Sequence, residues 1–242
     1  MRNILKAELY KQQHSFQSYL NFIIYILISG ACIALSILNY NERPVSMVNT
    51  LNWLTPIFLI LIAATIATID IENHTLKNLL ASGISRKNIY LGKLATALVM
   101  TLIYVLFSGV MIAGGSFFSV AMYGSICGDA NVGSLVLRYA LEVIAMFMYT
   151  LLFFGVSMLF KSNKNAMTVN IIIISVIPMV QGILANALNL PILGTLRLTE
   201  DLSTAFMDSA VTTYTYINIA IFAALIVLAN VLGYIRFKKT DV

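Results

Sequence analysis

Long apolar runs broken by short polar stretches set the rhythm of this 242-residue chain. A helix needs roughly 20 apolar residues to cross a hydrocarbon core of about 30 Å. Six runs are of that order: 20–38, 51–70, 94–119, 135–160, 168–189 and 217–235. The pattern predicts an all-α, polytopic membrane protein, six transmembrane helices forming a single domain over 1–242. Pro56 and Pro178 each remove a backbone donor and are expected to kink the second and fifth spans. Gly30 with Ala34, Ala63 with Ala67, and Gly109 with Gly114 and Gly115 offer small faces for close helix approach.

Three stretches outside the runs carry patterns of their own. In 1–19, Ile4, Leu5, Leu9, Phe16 and Tyr19 fall on one face, with Lys6, Lys11, Gln13 and Gln17 mostly opposite. That predicts a helix lying in the membrane interface. Between the second and third spans, 71–93 is polar and basic, yet Leu76, Leu79, Leu80, Ile84 and Ile89 recur at helical spacing. Gly83 is expected to end a first short helix there, and Ser85 to cap the start of a second. The third stretch, 190–216, is too long for a tight loop and rich in Leu and aromatics. It predicts short helices or a re-entrant hairpin on the outer side.

Composition agrees with the apolar runs: 60% of residues are hydrophobic and 10% charged, and mean hydropathy is +0.88. A soluble domain carries roughly 25% charged residues. Charge placement sets the orientation. Twelve of the fifteen Lys and Arg lie in the N-terminal arm, in 71–93, just after the fourth span and in the C-terminal tail. Cytoplasmic segments carry the basic excess, so both termini are expected in the cytoplasm of a bacterial cell membrane.

Catalytic chemistry is missing. Cys32 and Cys127 are too few for a metal cluster and read as small packing residues. His14 and His74 sit at the membrane edge, and no protease motif or phosphate-binding loop occurs. No enzyme activity, no cofactor, no metal and no nucleic-acid partner is therefore expected of this chain. Arg138 and Glu142, one helical turn apart, are the one opposite-charge pair within a predicted span. Their spacing allows mutual neutralisation on one face.

A basic amphipathic segment on a protein without an energy source suits docking. Leu76, Leu79, Leu80 and Ile84 form a ridge for a partner groove, or for lipid. The run Glu72-x-x-Thr75-x-Lys77-x-Leu79-Leu80-x-x-Gly83-Ile84-Ser85-Arg86, then Ile89-Tyr90-Leu91-x-Lys93, resembles the cytoplasmic loop of ABC-2-type permeases. These are the membrane subunits of small bacterial ABC exporters linked to lantibiotic immunity and to peptide or drug export. The resemblance implies that 71–93 is a coupling helix docked in a cleft of a separate ATP-binding subunit, which holds the ATP and Mg. It implies Glu72, Thr75, Leu76, Lys77, Leu79, Leu80, Gly83, Ile84, Ser85 and Arg86 as docking residues. It also implies a second permease copy, identical or related, and an amphipathic peptide or hydrophobic drug as cargo. One departure is His74, which stands where that family has Gly. The competing readings are an ATP-independent carrier, which needs ion-coupling residues in its core, and a membrane scaffold that transports nothing.

Overall fold

The computed structural model describes residues 2–39, 46–126, 131–176, 179, 183 and 213–239, and the described residues form an all-helical bundle. In chain order these are α1 (Arg2–Gln13), α2 (Phe16–Leu38), α3 (Met47–Glu72), α4 (Leu76–Ala81), α5 (Arg86–Tyr123), α6 (Val132–Ser157) and α7 (Asn163–Ile171). A π-helical turn, Ile172–Val176, continues α7, and the last helix, α8, spans Thr213–Lys239. Five of them, α2, α3, α5, α6 and α8, are long and apolar enough to cross a membrane. The expected fifth span begins within α7; half of it, Pro178 included, and residues 190–212 lie outside the described residues, while 213–216 open α8.

Local chemistry accounts for the helix ends. Asn131 and Ser134 cap α6 reciprocally, each side chain engaging the other's backbone N–H, at 2.8 and 3.3 Å. Ser85 caps α5 as expected, its hydroxyl accepting from the Asn88 N–H at 3.3 Å. Gly124 closes the far end of α5 with φ of 74°, a left-handed conformation that suits glycine.

Two expectations need correction. Residues 1–19 are not one helix: α1 ends at Gln13, and α2 already begins at Phe16. The turn forms because Ser15 takes an extended conformation, φ −87° and ψ 117°. The third span, in turn, starts well before residue 94. α5 runs 38 residues, about 57 Å at 1.5 Å per residue. The second half of the polar stretch is thus the start of that helix, carried beyond any bilayer.

α3 and α6 form the centre, packing most extensively on each other. In their most apolar windows 72% and 67% of residues are buried, against 17% for α2 and 22% for α8. The rim helices leave Leu27, Leu106, Phe117 and Val227 exposed, the surface expected where lipid takes the place of water. Side-chain hydrogen bonds join the helices within the bundle: Thr101 to Thr150 across α5 and α6 at 2.7 Å, and Asn170 Nδ2 to Ser157 Oγ at 2.8 Å.

Candidate functional site: a buried charge cluster beneath the polar segment

The apolar pattern of α1 contains one misfit. Ile4, Glu8 and Gln12 recur every four residues, and all three are buried. Ile4 sits on Gly92 of α5, so closely that a Cβ built at Gly92 would lie 2.6 Å from it. That contact lays α1 along α5 and turns Glu8 into the bundle. There it meets Asp70, in the last turn of α3, and Lys93 of α5.

Lys93 is fully buried. Its ammonium lies 2.6 Å from Asp70 Oδ2 and 3.6 Å from Glu8 Oε2, and donates to the Ile66 carbonyl at 2.8 Å. Lys11 closes the cluster from the rim, 2.9 Å from Glu8 Oε1 and 3.1 Å from Asp70 Oδ1. Thr75 Oγ1 donates to Asp70 Oδ1 at 2.8 Å. Two carboxylates and two ammoniums thus balance in a site where a lone ion would cost several kcal/mol. Burial alone would lower the pKa of the Lys11 ammonium; the two carboxylates outweigh it and raise the pKa above its ordinary value. Sequence reasoning passed over this cluster, although a glutamate inside an apolar i, i+4 stripe is a legible signal.

The polar stretch is fastened around this cluster at further points. Glu72 Oε2 accepts the Asn163 N–H at 3.1 Å, at the first turn of α7, where a carboxylate complements the helix dipole. Arg86 Nη1 donates to the Phe237 carbonyl near the end of α8 at 3.1 Å. The Tyr90 hydroxyl donates to Asn230 Oδ1 of α8 at 3.1 Å. Both ends of the described chain, α1 and the last turn of α8, therefore meet at one end of the bundle, with the starts of α5 and α7.

The leucine ridge does not face outward as expected. Leu76 is buried in the chain's own core, and Leu79, Leu80 and Ile84 pack partly against it. α4 has only six residues, and Leu76 at its start turns into the core. What this segment exposes is mostly polar, including Lys77, Asn78, Ser82, Ser85 and Lys87, with Ala81 and Gly83 beside them. A cleft of about 360 Å³ opens between α1 and the α3–α4 corner, lined among others by Lys11, Gln12, Ser15, Asn73 and Asn78.

Gly83, just past α4, has φ of 81°, as a glycine ending a helix should. His74 also takes a left-handed conformation, with φ of 56°. A Cβ is penalised there by roughly 1–2 kcal/mol. His74→Gly is accordingly expected to be neutral, or to stabilise by up to about 1 kcal/mol, and His74→Val to destabilise by about as much. Thermal unfolding of the detergent-solubilised variants measures both.

A family profile matches residues 10–242. The chain belongs to the DUF2705 family. The family is described as proteins of unknown function, and no curated protein matches the chain. The match takes in every described helix of this DUF2705 member apart from the first two turns of α1.

Arg138 and Glu142 are not joined as expected. Among the described residues, all four ion pairs belong to the Glu8–Lys11–Asp70–Lys93 cluster. Glu142 Oε2 is buried and accepts no hydrogen bond. Among the described residues, no group of three or more His, Cys, Asp or Glu is arranged to hold a metal ion. The ion pairs of the cluster at the base of the polar segment tie α1, α3 and α5 to one another.

Proposed function

We propose that this chain is the membrane-spanning permease subunit of an ATP-driven exporter. In this reading six helices cross the bacterial membrane with both termini in the cytoplasm. Residues 71–93 form the coupling segment against a separate ATP-binding subunit, which binds ATP and Mg. A second permease copy completes the pathway, and the cargo is an amphipathic peptide or hydrophobic drug. The observation that carries the reading is the fastening of this segment. Glu72 holds α7, Arg86 and Tyr90 hold α8, and Asp70 with Lys93 holds α1 and α3. A push on the ends of this segment would therefore reach α1, α3, α7 and α8 together, which is what coupling to a partner's motion requires. The cargo class rests on the sequence resemblance.

The experiment is purification of the tagged full chain from its native host in mild detergent. A stoichiometric soluble ATPase is expected to come with it. Reversing the exposed Lys77 and Lys87 to Glu changes the outward face without touching the core, and is expected to weaken that association about tenfold or more. A chain that purifies alone would overturn the reading. The buried Glu142 favours a second reading, an ATP-independent carrier. A scaffold would bring the ATPase along, but no cargo would stimulate it.

A further inference from the structure

Glu142 lies about 15 Å along α6 from Val132, at 1.5 Å per residue, and is 4% exposed inside the bundle. Among the described residues of the five membrane-long helices it is the one acidic residue away from the helix ends: α2 has no charged residue, and the charges of α3, α5 and α8 cluster at the end near Asp70 and Lys93. Two phenols, Tyr25 of α2 and Tyr139 of α6, lie close enough to feel its charge. Neither supplies a counter-charge. Tyr139 donates its proton to the Val105 carbonyl, and the Tyr25 hydroxyl is engaged with Thr55 Oγ1 at 3.3 Å. Tyr104 of α5 packs on the Tyr25 ring, centroids 4.9 Å apart. Arg138, one turn earlier on α6, forms no ion pair with Glu142 among the described residues. An ionised carboxylate with one oxygen unpartnered here would cost several kcal/mol. One proton removes that charge and turns an unsatisfied acceptor into a neutral acid.

We propose that Glu142 is an intramembrane proton-binding site, protonated in this closed packing and exchanging its proton when an opening of the bundle admits water. Loading and release then differ between the closed and opened states, so the proton gradient biases the equilibrium between them. The site stands whether or not an ATPase partner exists, because nothing in it involves the polar end of the bundle.

Two measurements on the full chain in proteoliposomes test it. The first probe is dicyclohexylcarbodiimide, which reacts with protonated carboxyls in apolar surroundings. The acid proton passes to one carbodiimide nitrogen, and the carboxyl oxygen bonds to the central carbon. The acyl group then migrates to nitrogen as a stable acylurea, with nothing lost. Mass spectrometry of the peptide holding Glu142 is expected to show the adduct near neutral pH, and about tenfold less for each pH unit above the titration of the site. The second measurement is the infrared difference between wild type and E142Q, a substitution that keeps the shape of the protonated acid. Loss of a protonated-carboxyl carbonyl band supports the site. Loss of carboxylate bands overturns it, and so does labelling of wild type that is absent or unchanged by pH, since that shows a group that does not exchange. The labelling needs no variant, so a failure of E142Q to fold leaves the test in place.

Discussion

Replacing Lys93 with methionine is expected to destabilise the protein by about 3–5 kcal/mol, the cost of breaking a buried ion pair from one side. Methionine matches the length of the stem, so packing changes little and the loss falls on the charge. Without the ammonium, Glu8 and Asp70 face each other in a site where Lys93 is fully buried and both carboxylates nearly so. Lys11 remains, but it approaches from the rim with 41% of its side chain exposed. The Ile66 carbonyl also loses its donor. Removing the opposing charge as well, in Lys93→Met with Asp70→Asn, should recover part of the loss. Contacting members of one network commonly couple by about 0.5–3 kcal/mol. Thermal or denaturant unfolding in detergent measures the single and double variants. An unchanged midpoint for Lys93→Met would mean that the cluster does not hold α1, α3 and α5 together.

Substituting Gly233 by valine is expected to separate α8 from α6. A Cβ built at Gly233 falls 2.5 Å from the Gly155 carbonyl oxygen, and one built at Gly155 falls 2.8 Å from the Asn230 nitrogen. The obstacles on both sides are backbone, so no rotamer change relieves them. The helices must move apart, breaking the Asn230 Nδ2 bond to the Leu151 carbonyl, 2.9 Å, and the link to Tyr90. Overpacking of this kind costs about 1–3 kcal/mol and sometimes more. Gly114 is the matched control. It is also inside a helix, but a Cβ there meets nothing within 4 Å, so Gly114→Ala should cost nothing. If the two substitutions behave alike in unfolding, close backbone contact between α6 and α8 is not what holds that face.

The small-residue faces show how far local pattern reaches. Gly109 and Gly115 do sit under neighbours, Tyr139 for one and Ile33 with Met47 for the other, whereas Gly114 faces open space. Gly155 and Gly233 make the tightest approach between backbones; Gly233 shares a small face with Ala229 on α8 that the sequence reading passed over, while Gly155 has no small residue four positions away on α6. A close contact is a property of two surfaces, and one helix's sequence describes only one of them. The 71–93 segment divides in the same way. Ser85 and Gly83 act within a turn of themselves, and both ends fell where local chemistry put them. The leucine ridge was visible, but its direction depended on the core that the rest of the bundle offered it.

By itself, the sequence determined the all-helical class, the runs that became α2, α3, α5, α6 and α8, and the Ser85 cap that opens α5. Those features depend on hydropathy summed over twenty residues, or on hydrogen bonds reaching three or four positions. Only the tertiary structure decided that Glu8, Lys11, Asp70 and Lys93 share one site while Arg138 and Glu142 do not pair. A charge inside a bundle is compensated by whichever helix packs beside it. Lys11 and Asp70, 59 positions apart, meet because Ile4 seats α1 on Gly92. Arg138 and Glu142, four apart on one helix, do not: sequence spacing permits an ion pair, and only the orientation of both side chains in the packed bundle makes one.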